Sequence, residues 1–336
     1  MATIKIALLG FGTVGRGVYE VIQSHQNTLY EQTDSHIEVS AVLVQHPNQQ
    51  RELPEHILVT DSIEDILKTD IHIVIEAIVG ENPAYPYLKQ AIEKGCHVIT
   101  ANKAMFANHG DELNQLATEH GVKVGYEATT AGGIPIIRTL QQLRVNQVQR
   151  IEGILNGTSN YILSKMADEQ LEFDDALAQA KELGYAEADP ANDIEGLDAF
   201  YKLMILSDTA FSSQPDWSDV MINGIKGITL DHIKETISSG KVIKHVATIQ
   251  NEDGALRASV QPMLLSPDHP LASIKGVDNA ITIDTDLLGK VTLQGPGAGR
   301  YPTASALLED LVSVVKEEVQ TSVPYRLQKH LQIVKG

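Results

Sequence analysis

The sequence predicts a Rossmann-type α/β nucleotide-binding domain with a parallel, doubly wound sheet. An α+β domain with a mainly antiparallel sheet follows it. Three observations carry this. A glycine-rich turn, GFGTVG (10–15), directly follows the first apolar run and opens a helix-forming stretch. Short apolar runs then alternate with helix-length segments to about residue 126. Past about residue 148 the alternation gives way to pairs of strand-like runs joined by short turns.

Residues 4–9 (IKIALL) read as the first strand, and the segment after Gly17 as a helix. In the turn between them Gly10 makes the tight bend, Gly12 lets the backbone approach a pyrophosphate, and Gly15 lets helix and strand pack closely. Phe11, Thr13 and Val14 complete the turn, and the helix N-terminus presents N–H groups to an anion. A lone G-x-G-x-x-G is a weak signal; its place after the first strand makes it a dinucleotide site. The second strand, 37–44, runs into Gln45, His46 and Pro47. No acid stands there for ribose hydroxyls, and the nearest arginine is Arg51, which favours NADPH and leaves NADH open.

Strands at 71–76, 96–100 and 121–126 alternate with helices at 83–94 and 109–119. Ligands in such sheets bind beyond the carboxyl ends of the strands. AIVG (77–80), TANK (100–103) and EATTAGG (127–133) all lie there, with Thr100 and Lys103 as candidate cofactor contacts. In the second half IEGIL reads as a strand and NGTSNYILSKM enters a helix. Helices follow at 174–183 and 195–210, with 184–193 as a loop. A hairpin spans 241–250 and 255–264, two strands lie at 280–285 and 290–294, and a last helix runs over 302–319.

Composition narrows the function. A net charge of −18, with only 26 Lys+Arg spread along 336 residues, argues against nucleic-acid binding, which needs a basic patch. No apolar stretch is long enough for a transmembrane helix, and the N-terminus lacks the basic region and cleavage site of a signal peptide. Cys96 is the single cysteine, so a disulfide framework within the chain is impossible and a cytoplasmic protein is expected.

Asp198 and Lys202 stand four apart in a helix whose other residues are almost all apolar. That spacing puts them on one face. An exposed i,i+4 ion pair is the bland reading, but the neighbours imply burial, where charges are costly unless paired or used. Lys103 reads either as a solvated lysine or as a contact to phosphate, carboxylate or a reacting oxygen. Asn156, Thr158 and Ser159 sit at a strand-to-helix junction, where Thr158 or Ser159 serves as N-cap or the segment presents donors to a ligand.

The set GFGTVG, ANKA, EATTAGGIPII, NGTSNYIL, GYAEADPANDIEGLDAFYK and GAGRYPTASA, in this order, resembles homoserine dehydrogenase from the first strand to the last helix. The resemblance implies interconversion of L-aspartate 4-semialdehyde and L-homoserine with NADP(H) or NAD(H), in the biosynthesis of threonine, methionine and isoleucine. It implies a nucleotide-binding domain over 1–130, completed by 296–325, and a catalytic, substrate-binding and dimerisation domain over 131–295, in a homodimer. By position Lys202 and Lys103 match catalytic lysines. Glu187 and Asp198 match the carboxylates that hold the substrate ammonium, with Gly184 beside them and Asn156 and Thr158 in the same pocket. Gly299 matches a late cofactor contact. Glu127, with main-chain oxygens of Thr130, Gly132 and Ile134, matches a site for a monovalent cation, sodium. Tyr161 and Ser159 depart slightly from the family pattern in the NGT segment. Some members carry a C-terminal regulatory domain; here the chain ends at Gly336, soon after the last helix, so the short form is expected.

Two rivals fit less well. A semialdehyde dehydrogenase that acylates a cysteine needs a thiolate at the nicotinamide, and Cys96 reads as a core residue of the nucleotide half. A nucleotide-sensing regulator would need the glycine turn but not the Glu187, Asp198 and Lys202 set.

Overall fold

The computed structural model describes residues 2–322, with side chains as far as residue 316. The chain divides into two compact units. Of the described residues, one comprises those up to Asn102, Asp111–Tyr126 and those from Ala304 to Ser322; the other comprises Lys103–Gly110 and Glu127–Thr303.

The first unit opens with β1 (Ala2–Leu9), α1 (Thr13–Ser24), α2 (Gln26–Thr33), β2 (Ser35–Leu43), β3 (Leu58–Thr60) and α3 (Ile63–Leu67). It continues through β4 (Ile73–Glu76), α4 (Ala84–Glu93), β5 (His97–Thr100), α5 (Lys103–His120) and β6 (Val124–Gly125). The strands form one parallel sheet in the order β3-β2-β1-β4-β5-β6. Covered on both faces, its strands carry continuous apolar runs: Ile6–Leu9, Ile73–Ile75 and Val98–Ile99 are all buried. From β1 the chain moves to β2 on one side and later returns to β4 on the other. The carboxyl ends of β1 and β4 therefore flank a topological switch point, where ligands of such sheets bind.

The second unit contains α6 (Ile136–Gln142), β7 (Val148–Ile154), α7 (Gly157–Asp168), α8 (Phe173–Glu182), α9 (Ala191–Ile194), α10 (Leu197–Phe211), β8 (Met221–Ile222) and α11 (Leu230–Ser238). The paired strands β9 (Val242–Glu252), β10 (Ala255–Leu265), β11 (Asp278–Thr285) and β12 (Gly289–Pro296) follow. The sheet order is β12-β11-β7-β9-β10-β8; all pairs are antiparallel except β8 with β10. Helices α7, α10 and α11 pack against β9. Tyr161, Ile162, Leu163 and Met166 of α7 share a core with Ala176, Ile194 and Ile233. The last helix, α12 (Arg300–Ser322), begins in this unit and continues into the first.

The main elements fall where the periodicity puts them, and the exceptions have local causes. Helix α5 starts at Lys103, not at residue 109, because His109–Gly110 does not break it. Gly110 is required there by packing: a Cβ would lie 2.9 Å from the Phe106 ring. Strand β6 is only two residues long. Helices α2, α3, α6, α9 and α11 and strands β3 and β8 add to the elements the sequence predicts; most are short, and α9 takes up the end of the predicted 184–193 loop. No helix among the described residues is long and apolar enough to cross a membrane.

Candidate active site

In the first unit Gly10 adopts φ +97°, and a Cβ there would sit 2.8 Å from the Ala77 carbonyl oxygen. A Cβ on Gly15 would lie 2.1 Å from the Gly10 oxygen. Both glycines are demanded by the fold. Gly12 is different: a Cβ there meets nothing within 4 Å. It is also the N-cap of α1 and supplies no side-chain cap. The space beside Gly12 is thus clear of the protein's own atoms at the N-terminus of α1. Those features fit a bound pyrophosphate, held by N–H groups and the helix dipole. Past β2, Arg51 donates through Nη1 to the His46 and Gln49 carbonyls, 2.9 Å each, so its half-buried side chain lies back on the loop.

The second unit brings the charged candidates together. Helix α10 begins after Gly196 at φ +92° and buries Ala199, Phe200 and Leu203–Leu206. Burying each such large side chain contributes roughly 1.5–3 kcal/mol, which holds the helix in place. Asp198 and Lys202 are buried in the same helix, 4 % and 8 % exposed, so the exposed-pair reading fails. Lys202 Nζ lies 2.8 Å from Asp198 Oδ2 and donates to the Leu155 carbonyl at 2.7 Å. Asn279 Nδ2 also donates to that carbonyl, at 3.0 Å. Lys103 Nζ lies 2.5 Å from Asp198 Oδ1, and its side chain is half-exposed. One carboxylate thus holds two ammonium groups, one on each oxygen.

Asn156, not Thr158 or Ser159, is the N-cap of α7. Its Oδ1 accepts from Ser159 N at 2.8 Å. Its Nδ2 donates to Asp198 Oδ2 (2.9 Å) and Asp193 Oδ1 (2.7 Å), joining the two acids. Thr158 donates its hydroxyl to the Tyr185 carbonyl at 2.8 Å and so anchors the loop that carries Glu187. Gly184, φ +75°, ends α8 and turns the chain into that loop. Glu187 is exposed.

Electrostatics separate the two lysines. Burial pushes the Lys202 ammonium below its ordinary value; Asp198 opposes this and Lys103 adds to it. Lys103 is raised, first by the Asp198 charge and with help from Asp193 and Glu187. Burial works to raise Asp198, but Lys202 and Lys103 override it and hold the carboxyl well below the usual range. Asp193 is raised by burial and by the Asp198 charge. The two ammonium groups on one carboxylate are thus shifted in opposite directions, Lys202 down and Lys103 up.

Two models of one protein family match the chain. The family model described as "Homoserine dehydrogenase, NAD binding domain" matches residues 10–127, and that described as "Homoserine dehydrogenase" matches 135–312. The homoserine dehydrogenase of Bacillus subtilis is 40% identical over 319 residues, which cover 94% of this chain and 74% of that protein. The chain belongs to the homoserine dehydrogenase family. The solved homoserine dehydrogenase of Thiobacillus denitrificans matches with a TM-score of 0.91 at 37% identity, over 97% of this chain and 77% of that one. A hyperthermophilic archaeal homoserine dehydrogenase in complex with NADPH matches with a TM-score of 0.80 at 28% identity, over 94% of this chain and 98% of that one. Like its family, the chain is an NAD(P)-dependent oxidoreductase acting on a CH–OH group.

In this member of the family the remaining candidates are placed as follows. Thr100 is fully buried and spends its hydroxyl on Glu76 (2.5 Å) and Asn102 N (3.0 Å), so that hydroxyl is an internal group. Gly299, φ +128°, immediately precedes α12. Cys96 is buried, donates to the Ile71 carbonyl and has its thiol pushed up by burial, which disqualifies it as a thiolate nucleophile. Asp193 and Asn279 were not singled out by sequence. For Asp193 the signal was there: an acid five residues before Asp198, just ahead of the buried helix. Nothing in the sequence marks Asn279, because it acts through a main-chain carbonyl.

Proposed function

We propose that this chain interconverts L-homoserine and L-aspartate 4-semialdehyde with Lys202 as the acid/base group. The observation that carries this is the clamp on Lys202. Its Nζ donates to Leu155 O and Asp198 Oδ2, which leaves its third bonding direction for the substrate oxygen. Bound NAD(P) supplies hydride transfer at the reacting carbon. The protein's own task is the proton. In oxidation the neutral Lys202 amine takes the hydroxyl proton; in reduction the ammonium gives a proton to the oxygen as negative charge develops there. Lys103 stays charged and orients the substrate. Asp198 fixes both lysines and retains one lone-pair direction for the substrate ammonium. Glu187 and Asp193 supply the rest of its negative surroundings. The test is homoserine-dependent reduction of NADP⁺ and NAD⁺ by the purified protein. Turnover with homoserine, and none with 4-hydroxybutanoate, which lacks only the ammonium, is the expected result. No turnover with either cofactor would overturn it. The family resemblance also supports a cytoplasmic homodimer.

A monovalent cation fits the 127–134 segment. Glu127 caps α6 by accepting from Ile137 N and Arg138 N, 2.9 Å each. The Ile136 N–H also bonds this carboxylate, whose negative charge would face the ion. Burial raises the Glu127 carboxyl, a cost that an adjacent cation offsets. Thr130 Oγ1 is buried with no hydrogen-bond partner. Gly132, φ +58°, lets the turn pass so close to Gly297 that a Cβ would sit 2.5 Å from its carbonyl. Main-chain oxygens of Thr130, Gly132 and Ile134 would complete the ligands. Replacing sodium with choline at constant ionic strength should lower Tm by a few degrees, because an ion that binds only the folded state stabilises it. Glu127→Gln should shrink that difference; an equal difference in the variant would count against Glu127 as a ligand.

A further inference from the structure

Glu76 ends β4 with its side chain fully buried, and the mechanism above makes no use of it. Its carboxyl gathers donors from three places. Ile78 N donates to Oε1 at 2.5 Å, Thr100 Oγ1 donates to Oε2 at 2.5 Å, and the Asn102 side chain adds a further hydrogen bond. Thr100 Oγ1 in turn accepts from Asn102 N at 3.0 Å. Asn102 Nδ2 reaches back to the Ile78 carbonyl (3.1 Å) and the Gly80 carbonyl (2.7 Å). The bracket thus grips both the N–H and the C=O of Ile78, and the C=O of Gly80.

The gripped segment lies at the switch point. Ala77 N donates to Leu9 O at 2.8 Å, and the Ala77 carbonyl is the group that forbids a side chain on Gly10. Residues 77–80 therefore stand against the glycine turn, on the β4 side of the crevice. The loop has little core of its own: Val79 is 96 % exposed, and Gly80 offers no side chain. Its order comes from polar groups beneath it, and a buried polar network that is fully satisfied is a rigid one.

We propose that Glu76 is a positioning residue for the dinucleotide. Through Ile78, and through Thr100 and Asn102, it fixes the 77–80 backbone as the standing wall of the cofactor crevice. This rests on the dinucleotide reading of the glycine turn. Burial raises Glu76 to about 7, so near neutral pH the uncharged form is also accommodated, with the Thr100 hydroxyl turned to accept. What the bracket requires is two hydrogen-bonding atoms at this place; the negative charge is dispensable. Glu76→Gln keeps both atoms. Glu76→Leu removes both and takes away the acceptors of the Ile78 N–H and of the Thr100 O–H.

The experiment measures NADPH and NADP⁺ affinity by titration calorimetry, the KM of cofactor and of homoserine, and amide exchange at residues 77–80 in the cofactor-free protein. Glu76→Leu should weaken cofactor binding about tenfold or more, the consequence of stranding buried donors. It should leave the KM for homoserine within about twofold and speed exchange of the Ile78 amide. Glu76→Gln should stay within about threefold of wild type. If Glu76→Leu does not fold, Thr100→Val, which removes one arm, should raise the cofactor Kd and speed the same exchange. Unchanged affinity and exchange in Glu76→Leu, or in Thr100→Val when it stands in, would overturn the proposal. So would Glu76→Gln behaving like Glu76→Leu, since charge would then matter more than the bracket. Gly12→Val separates the two readings, because its side chain meets only the space set aside for pyrophosphate. If it leaves cofactor binding intact the glycine-turn reading fails; if it abolishes binding while Glu76→Leu does not, only the bracket fails.

Discussion

Lys202→Met should lower kcat by roughly 10²–10⁴ with homoserine while changing its KM only a few-fold, because proton transfer is lost and substrate contacts are kept. Methionine preserves the apolar stem in α10, and Asp198 keeps Lys103 as its partner. The fold should therefore survive, and circular dichroism with Tm checks this. Wild-type kcat for homoserine oxidation should rise with pH as Lys202 loses its proton. Because burial lowers that ammonium, the rise should come below the ordinary lysine range of about 10.4. Semialdehyde reduction needs the protonated form and should fall over the same interval. Neither dependence should persist in Lys202→Met. Lys103→Ala should act mainly on KM, since the charge of Asp198 holds Lys103 protonated. Near wild-type kcat in folded Lys202→Met would make that lysine a counter-ion only and move the proton to Lys103 or a water.

The pairing of Lys202 with Asp198 was legible because helix spacing is regular: two charges four apart in an apolar helix must meet on a buried face. The glycine turn was legible because each glycine has a steric reason that the strand–turn–helix context exposes. Lys103 reads as a strand-end residue but joins Asp198 across 95 residues of sequence, a pairing no local pattern carries. Glu76 looked like the end of an apolar strand, and its importance lies in Thr100 and Asn102, which only the β4–β5 pairing brings beside it. The α7 cap, Asn156, precedes the two cap candidates, Thr158 and Ser159, by two and three residues. Asn, Thr and Ser all cap helices, and only the observed bond from Ser159 N selects Asn156.

Asp198→Ala should damage both catalysis and stability, in two separable ways. The carboxylate is the shared partner of Lys202, Lys103 and Asn156. Its removal frees Lys202 to leave its clamp, so kcat should fall about 10- to 100-fold, and KM for homoserine should rise about tenfold with the loss of a charge-assisted contact. The effects should not add: in a Lys202→Met background Asp198→Ala should cost far less in kcat, because the two act as a unit. Full additivity would mean that Asp198 serves the substrate alone. Stability should fall by about 3–5 kcal/mol at neutral pH, the usual cost of leaving a buried charge unpaired. The pH dependence fixes the cause. In wild type the Asp198 carboxyl is held well below its ordinary value, so its contribution is complete above about pH 4 and is lost as pH falls through the folded-state value. In Asp198→Ala the Lys202 ammonium loses the neighbour that raised it, so its folded-state pKa drops further below the unfolded one. The unfolded chain then binds more protons across that interval, and the variant should gain stability as pH rises from neutral toward about 10. Chemical denaturation of both proteins at pH 3, 7 and 9 checks the sign. A variant whose deficit is the same at all three would show that Asp198 stabilises by packing, with no charge left stranded at Lys202.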